Sequence, residues 1–214
     1  PDFLWRIQRD PANHPPNENY KISDVELASR LSFFLWSGAP DDELLSLAEQ
    51  ERLRDPQILK NQVARMMNDE KADAFIKNFV GQWLYLRNLD NVYPLPAAFP
   101  EFDDNLRLSF KQETETFFEE QIRENHSLLE LFTANYSFLN QRLADHYGIG
   151  GVYGSHFRKV ELDGYKRGGL LGHGSLMTVT SYPNRTSVVL RGKYVLDNFL
   201  GSPPPEPPPN VPAL

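Results

Sequence analysis

The sequence contains no cysteine among its 214 residues. These residues can therefore form no disulfide, no thiolate metal site and no cysteine nucleophile, and they cannot attach haem covalently. The absence leaves the redox compartment open, because a chain without thiols is compatible with reducing and with oxidising surroundings.

The sequence also lacks long apolar runs and an excess of positive charge. No stretch approaches the roughly 18 apolar residues of a membrane helix, so no transmembrane segment is predicted. No charged-then-apolar leader opens the chain, and any export signal is therefore expected to have been removed or to lie upstream. The formal net charge of −7 argues against nucleic-acid binding, which requires a concentrated basic surface.

The chain does have enough apolar side chains for a packed core. Forty per cent of its residues are hydrophobic and 12% are aromatic, too many for a disordered chain of this charge. The periodicity predicts a mostly α-helical fold, a multi-helix bundle with short connections. In the best-marked helix, "ISDVELASRLSFFLWSG", Ser23 and Glu26 form a capping box and Gly38 can end the helix. Its apolar residues recur at helical spacing: Leu27, Leu31, Phe34 and Leu35.

A second helix, "KADAFIKNFVGQWLYLRNL", is apolar over a wide arc that includes Phe79 and Trp83. A helix with so broad an apolar surface is predicted to lie in the core. The segment "VYPLPAAFPEFD" contains three prolines and is predicted to be a loop at the surface.

Composition divides the chain into five segments. Residues 1–21 are predicted to be an extended N-terminal segment, and residues 22–149 a helical bundle domain. Residues 150–165 are glycine-rich with a β-prone run, "FRKVEL", and are predicted to form a linker or small hairpin. Residues 166–200 are predicted to form a C-terminal helical pair packed on the bundle. Residues 201–214, "GSPPPEPPPNVPAL", predict an extended polyproline tail, rising about 3.1 Å per residue, that leads to a missing segment.

The long helix predicted near residues 103–125 is dense in carboxylates. Glu113, Glu120 and Glu124 fall beside its apolar stripe, whereas Glu115 and Glu119 point away. Inward carboxylates on a bundle helix are typical of di-iron proteins, but those sites also need Glu-x-x-His pairs, and the sequence contains none. A solvated face with ion pairs at the edge of the stripe is the favoured interpretation.

The five histidines do not predict a metal site. No two of them have the i, i+4 spacing of a helical metal site, so surface or capping roles are expected for each. Arg142 precedes His146 by four residues and would disfavour its protonation if the two met. The histidines are His14, His126, His146, His156 and His173.

The stretch "GGLLGHGSLM" is the most suggestive for chemistry. It lacks the order of a phosphate loop and the frame of a nucleophile elbow. Gly172 and Gly174 remove bulk on both sides of His173, so a flat cofactor or another helix can approach closely. His173 and Met177 would share one helical face, and both residue types ligate haem iron. Tight helix packing around a hydrogen-bonded core histidine remains the open and favoured alternative.

The stretch "NRTSVVLRGK" places hydroxyl and guanidinium groups at the start of a predicted helix. Such a helix start can bind a carboxylate or phosphate of a ligand or partner. A helix cap with internal ion pairs to the acidic bundle is the alternative. The candidate residues are Arg185, Thr186, Ser187 and Arg191.

Long motifs of the chain resemble two families. "ISDVELASRLSFFLWSGAPDDELL", "FVGQWLYLRNLDNVYP", "FPEFDDNLRLSFKQETETFF" and "LLELFTANYSFLNQRLADHYGI" together resemble the domain of unknown function numbered 1592. The segment from "RGGLLGHGSLMTVTSYPNRTSVVLRGKYVLDNFLG" to the last residue is similar to the start of the domain numbered 1588, whose usual "RTSPV" lacks its proline here.

This resemblance implies a setting and supplies no catalytic residues. The two domains occur in tandem in large exported bacterial proteins, abundant in planctomycetes, together with cytochrome c modules. It implies a periplasmic or cell-surface location, and a Cys-x-x-Cys-His haem-attachment segment beyond the proline tract. No cofactor is then expected in this fragment, whereas c-type haem is implied in the full-length protein.

The resulting hypothesis is a helical region that docks or orients c-type haem segments of the same polypeptide in a redox or polymer-degrading complex, with a further redox partner. One alternative is an oxidoreductase that uses Glu113, Glu120 or His173 with haem from a neighbouring segment. Another alternative is a structural interaction domain of a surface assembly.

Overall fold

The computed structural model describes residue 15 and residues 19–205, and it has the mostly α-helical, multi-helix architecture that the sequence predicts. The chain forms two compact units, residues 1–66 and 67–214. Most of the predicted N-terminal segment, His14 and most of the proline tract lie outside the described residues. The division into five segments stays a prediction.

The first unit contains helices α1 (Asp24–Trp36), α2 (Asp42–Glu49) and most of α3 (Pro56–Asn68). The capping box of α1 is confirmed, since the Glu26 amide donates to Ser23 Oγ over 3.2 Å and the Ser23 amide donates to Glu26 Oε2 over 2.9 Å. The helix ends earlier than Gly38, because Ser37 adopts the left-handed conformation with φ 53°. The predicted apolar stripe is partly wrong, since Phe34 is 59% exposed whereas Leu35 is buried.

In the second unit, helix α4 (Asp73–Phe75) passes through a π-helical turn (Ile76–Val80) into α5 (Gly81–Trp83), and a 3₁₀ turn (Leu86–Asn91) follows. A π-helical turn contains one more residue than an α-helical turn. The residues that follow it therefore face a different side of the helix from the side that α-helical spacing predicts. Ile76 and Val80 are buried, but Phe79 is 43% exposed, which contradicts its predicted core position. Trp83 is half-buried and its indole N–H donates to the Asn198 carbonyl over 2.9 Å.

Helix α6 (Asp104–Arg123) runs through both apolar clusters of the second unit. Asp103 caps it by accepting from the Leu106 amide over 2.7 Å. Phe117 belongs to one cluster and Phe110 to the other, and both are buried. The two positions between them that face inward, Glu113 and Thr114, are polar and fully buried. A polar layer therefore separates the two apolar clusters along α6.

After α6 the chain forms α7 (Glu130–Thr133), β1 (Tyr136–Leu139), α8 (Gln141–Tyr147) and β2 (Arg158–Glu161). Gly148 ends α8 in the left-handed conformation, with φ 69°. The β-prone run does form a strand, but its partner is β1, which the sequence did not indicate. The pairing is antiparallel, with Tyr136 opposite Glu161 and Leu139 opposite Arg158.

The C-terminal part consists of a 3₁₀ turn (Leu170–Gly172), α9 (Gly174–Val179), the short hairpin β3 (Ser181–Tyr182) and β4 (Arg185–Thr186), and α10 (Val188–Asn198). Ser187 caps α10 by accepting from the Leu190 amide over 3.2 Å. Tyr194 of α10 is buried and donates to the Leu84 carbonyl over 3.1 Å. Among the described residues, no helix is both long enough and apolar enough to cross a bilayer.

Candidate functional site

A cleft of about 420 Å³ opens in the second unit between three parts of the chain. One wall is the proline-rich loop after the 3₁₀ turn, which carries Phe99 and Phe102. The second wall is formed by α6 and α8, and the third by α9, the β3–β4 hairpin and α10. The loop is held to the hairpin by the Leu95 amide, which donates to the Pro183 carbonyl over 2.7 Å. The volume lies within the usual range for small-molecule pockets.

Two arginines line this mostly apolar cleft. The Arg167 guanidinium lies 3.5 Å from the centroid of the Tyr147 ring and donates to the Gly172 carbonyl. Arg191 makes one weak side-chain contact, to Ser181 Oγ at 3.4 Å, and its Nε is buried without a partner. Within residues 19–205, neither guanidinium has a carboxylate at ion-pair distance. The cleft therefore combines aromatic walls with two cations whose charge is not balanced by an ion pair.

Below the cleft wall lies a buried carboxylate. Glu113 is 0% exposed, and its two oxygens accept from Ser137 Oγ over 2.7 Å and from the Tyr147 hydroxyl over 2.6 Å. The Tyr147 oxygen in turn accepts from the Gly174 amide over 2.8 Å. Burial raises the pKa of Glu113 from 4.5 to about 7, against the opposing effects of the two hydroxyl donors and of the Arg167 charge. Burial, with the Glu113 charge second, raises the pKa of Tyr147 well above its usual value.

His173 lies in the same polar layer but does not line the cleft. Its Nδ1 is 3.0 Å from Thr114 Oγ1, which also contacts Ser175 Oγ at 2.6 Å. Burial, helped by the Arg167 charge, lowers the pKa of His173 from 6.5 to about 3. Its Nε2 is buried without a hydrogen-bond partner among the described residues. His173 is thus a neutral core histidine.

The glycines beside His173 do allow a close approach, but the neighbour is part of this chain. A Cβ on Gly174 would lie 2.1 Å from Cε1 of Phe110, and a Cβ on Gly172 would lie 3.4 Å from Cγ of Arg167. The space that the glycines leave is therefore filled by a buried ring on one side and by the arginine stem on the other.

The other predicted site residues are divided between the cleft and the surface. Met177, Thr186 and Arg191 line the cleft. Arg185 is exposed and lies over the Tyr182 ring at 4.8 Å, and Ser187 acts as the cap of α10.

The carboxylates of α6 do not share one environment. Interpreting them as a solvated face is wrong for Glu113, because packing against β1 and α8 covers it completely. Glu120 pairs with Lys159 over 2.9 Å near the surface, and Glu124 is exposed. Residues 19–205 contain no group of three histidine or acidic side chains that could hold a metal ion.

The other histidines in the described part of the chain make local contacts. His146 Nδ1 lies 3.6 Å from Glu101 Oε2 at the cleft, and desolvation lowers its pKa, with Arg142 contributing in the same direction as the sequence predicts. His126 pairs with Glu130 and His156 with Arg158.

Sequence analysis missed Tyr147 and Arg167. Tyr147 is the last residue of α8, and nothing in its local sequence distinguishes it from a helix-end core residue. Arg167 directly precedes the stretch "GGLLGHGSLM", and that proximity was the available signal. Both matter only because α8 and the segment before α9 meet over α6.

Comparison with family models places the chain. Residues 22–149 match the model described as PSD4, a protein of unknown function (DUF1592). The chain belongs to this family. Residues 167–214 match a second model, PSCyt3, also a protein of unknown function (DUF1588), so the tandem arrangement expected from the sequence is confirmed. No curated protein and no solved structure matches the chain.

Proposed function

We propose that this chain docks and orients a c-type haem segment of an exported, cytochrome-associated protein, and that the cleft receives the carboxylate edge of the haem. The observation that carries the proposal is the pair of arginines, Arg167 and Arg191, facing an aromatic cleft without carboxylate partners among the described residues. Guanidinium groups bind carboxylates by charge-assisted hydrogen bonds, and aromatic walls suit a flat apolar body.

The residues fit the edge of a haem better than its iron. His173 is buried with its ring 4.9 Å from the Phe117 ring, and its imidazole makes no part of the cleft surface. Met177 does line the cleft and is the one candidate ligand of the two that can face a group bound there. When bound, the haem would supply one-electron transfer at its iron, and this chain would supply position and charge.

The experiment compares Arg167→Gln/Arg191→Gln with Arg185→Gln in the protein extended through its haem-attachment segment. Arg185 is the matched control, because it lies outside the cleft and stacks on Tyr182. We expect the double variant to lower the midpoint potential of the haem, since removing positive charge favours the oxidised iron. With the haem segment supplied as a separate peptide, affinity should fall about tenfold, with a weaker dependence on salt.

An unchanged potential, spectrum and affinity in the double variant would contradict the proposal and favour a structural interaction domain. If only the stability of the double variant falls, the arginines serve the fold.

An enzymatic role is the second candidate, and one observation favours it. Glu113 has a pKa of about 7 and is hydrogen-bonded to Tyr147 at the wall of a cleft, the environment in which acid–base residues are usually found.

A further inference from the structure

Glu113 is a carboxylate whose burial is not compensated by an ion pair with any residue that the structure describes. Its oxygens accept from two neutral hydroxyls, Ser137 and Tyr147, and Arg167 acts on it through its charge and not through a hydrogen bond. A buried ionised carboxylate without a paired cation is costly, and the cost is relieved when the group binds a proton. The Glu113 carboxylate therefore gains or loses a proton near neutral pH when the charge around it changes.

The hydrogen bonds around Glu113 suit both protonation states. When it is ionised, the Tyr147 hydroxyl donates to it and accepts from the Gly174 amide. When it is protonated, its own O–H can donate to the oxygen of Ser137, whose hydroxyl hydrogen can rotate away, while Tyr147 still donates to the other carboxyl oxygen. No backbone movement is required for the exchange, so a proton can be taken up within the folded protein.

Tyr147 connects this carboxylate to the cleft. Tyr147, Gly174 and Arg167 all line the cleft, so one hydroxyl separates Glu113 from a group bound there. The positive charge of Arg167 stabilises the ionised form of Glu113. An anion that engages Arg167 would offset this positive charge with its own negative charge, which favours protonated Glu113.

We infer that the cleft binds an organic carboxylate carried on a flat apolar body, and that Glu113 takes up one proton when that carboxylate engages Arg167. The inference rests on the cleft of the proposed function but not on haem as its occupant. The carboxylate can come from a haem propionate or from a free small molecule, and the experiment separates these sources. Because binding and protonation are linked, affinity falls as the pH rises above about 7.

Other charged groups face Glu113 or the cleft, and the test must separate them from Glu113. His146 is the main alternative proton acceptor, because an anion in the cleft would also favour its protonated form. His173 is buried and neutral, and Glu101 lies at the rim beside His146. The groups concerned are Tyr147 and His146 of α8, Arg167 and His173 before α9, Arg191 of α10, Tyr182 of β3, and Glu101 of the loop.

The experiment is isothermal titration of this chain with 2-naphthoate at pH 7.5, in two buffers of different ionisation enthalpy. The dependence of the heat on the buffer gives the number of protons taken up. We expect binding with an uptake that approaches one proton, and no comparable binding of the neutral analogue 2-naphthamide. Glu113→Gln should bind naphthoate without proton uptake, His146→Gln should keep the uptake, and Arg167→Gln should lose about tenfold in affinity.

Three results would overturn the inference: neither naphthoate nor a haem c peptide binds, the bound carboxylate causes no proton uptake, or the uptake survives in Glu113→Gln. If that variant does not fold, infrared spectroscopy of the unmodified chain replaces it, since naphthoate should increase the absorbance of a buried protonated carboxyl group. A haem c peptide forms the second arm. If it binds with proton uptake and naphthoate does not bind, the haem propionate is the source of the carboxylate. If it binds without proton uptake, the proposed function stands and this inference fails, whereas binding of naphthoate alone leaves the inference and removes haem as the occupant.

Discussion

At the scale of single residues, Glu113 shows how much burial changes an acid. Glu113 lies about one turn of α6 from both Phe110 and Phe117, and the elements packed over it exclude water. Its neighbours supply hydroxyl donors, which stabilise the charge less than a guanidinium would. The ionised form is therefore disfavoured in the folded state relative to the unfolded chain.

This shift predicts a pH dependence of stability. A pKa raised from 4.5 to about 7 corresponds to about 3 kcal/mol. The stabilisation from protonated Glu113 is fully present below pH 4.5 and is lost as the pH rises through about 7. Relative to Glu113→Gln, the unmodified protein should lose about 3 kcal/mol of unfolding free energy over this interval, measured by urea titration with circular dichroism.

Glu120→Gln is the matched control, because it removes a carboxylate of the same helix that pairs with Lys159 near the surface. It should keep the slope of the unmodified protein. A slope that is equal in Glu113→Gln and the unmodified protein would show that Glu113 is ionised at no extra cost in the fold.

At the scale of elements, the start of α9 is fixed by the absence of a side chain. Gly174 sits against the buried Phe110 ring and directs its amide to Tyr147. A larger residue would separate α9 from α6 and move the Gly174 amide away from the Tyr147 hydroxyl that contacts Glu113.

Gly174→Ala should therefore destabilise the protein by about 2–3 kcal/mol, because its Cβ would lie 2.1 Å from the buried Phe110 ring, which would have to shift. Gly172→Ala is the comparison, since its Cβ would meet the flexible stem of Arg167 at 3.4 Å, and a change below about 0.5 kcal/mol is expected. Equal melting temperatures for the two variants would mean that α9 does not pack as closely on Phe110 as the structure shows.

At the scale of the whole molecule, two buried groups of the second unit oppose each other in their response to pH. His173 stays neutral in the fold, with a pKa of about 3 against an ordinary 6.5. Its contribution to stability is therefore present above pH 6.5 and is lost as the pH falls toward 3, the reverse of Glu113.

Between pH 4.5 and 6.5 the two effects should cancel, and unfolding free energy should be nearly constant there and fall below pH 4.5. His173→Gln should expose the Glu113 slope, with stability decreasing from pH 4.5 to 7. Glu113→Gln should expose the opposite slope, with stability increasing from pH 3 to 6.5. The measurement is a series of urea titrations across this range, and parallel curves for the two variants would contradict the compensation.

The sequence by itself determined several local features of the structure. The capping box of α1, the Asp103 cap of α6 and the glycine end of α8 depend on residues a few positions apart, so they are readable from the chain. The proline-rich loop and the strand propensity of "FRKVEL" are local in the same sense. Family membership also follows from the sequence, because long motifs carry it.

Only the tertiary structure decided which local features make a site. Periodicity placed Glu113 at the edge of the apolar stripe of α6, but the pairing of β1 with β2 and the packing of α8 and α9 determine that it is buried. The convergence of Arg167 and Arg191 on one cleft depends on the path of the chain through α9 and the β3–β4 hairpin. The physical reason is that desolvation and charge depend on every element around a group, whereas local sequence specifies only the element to which the group belongs.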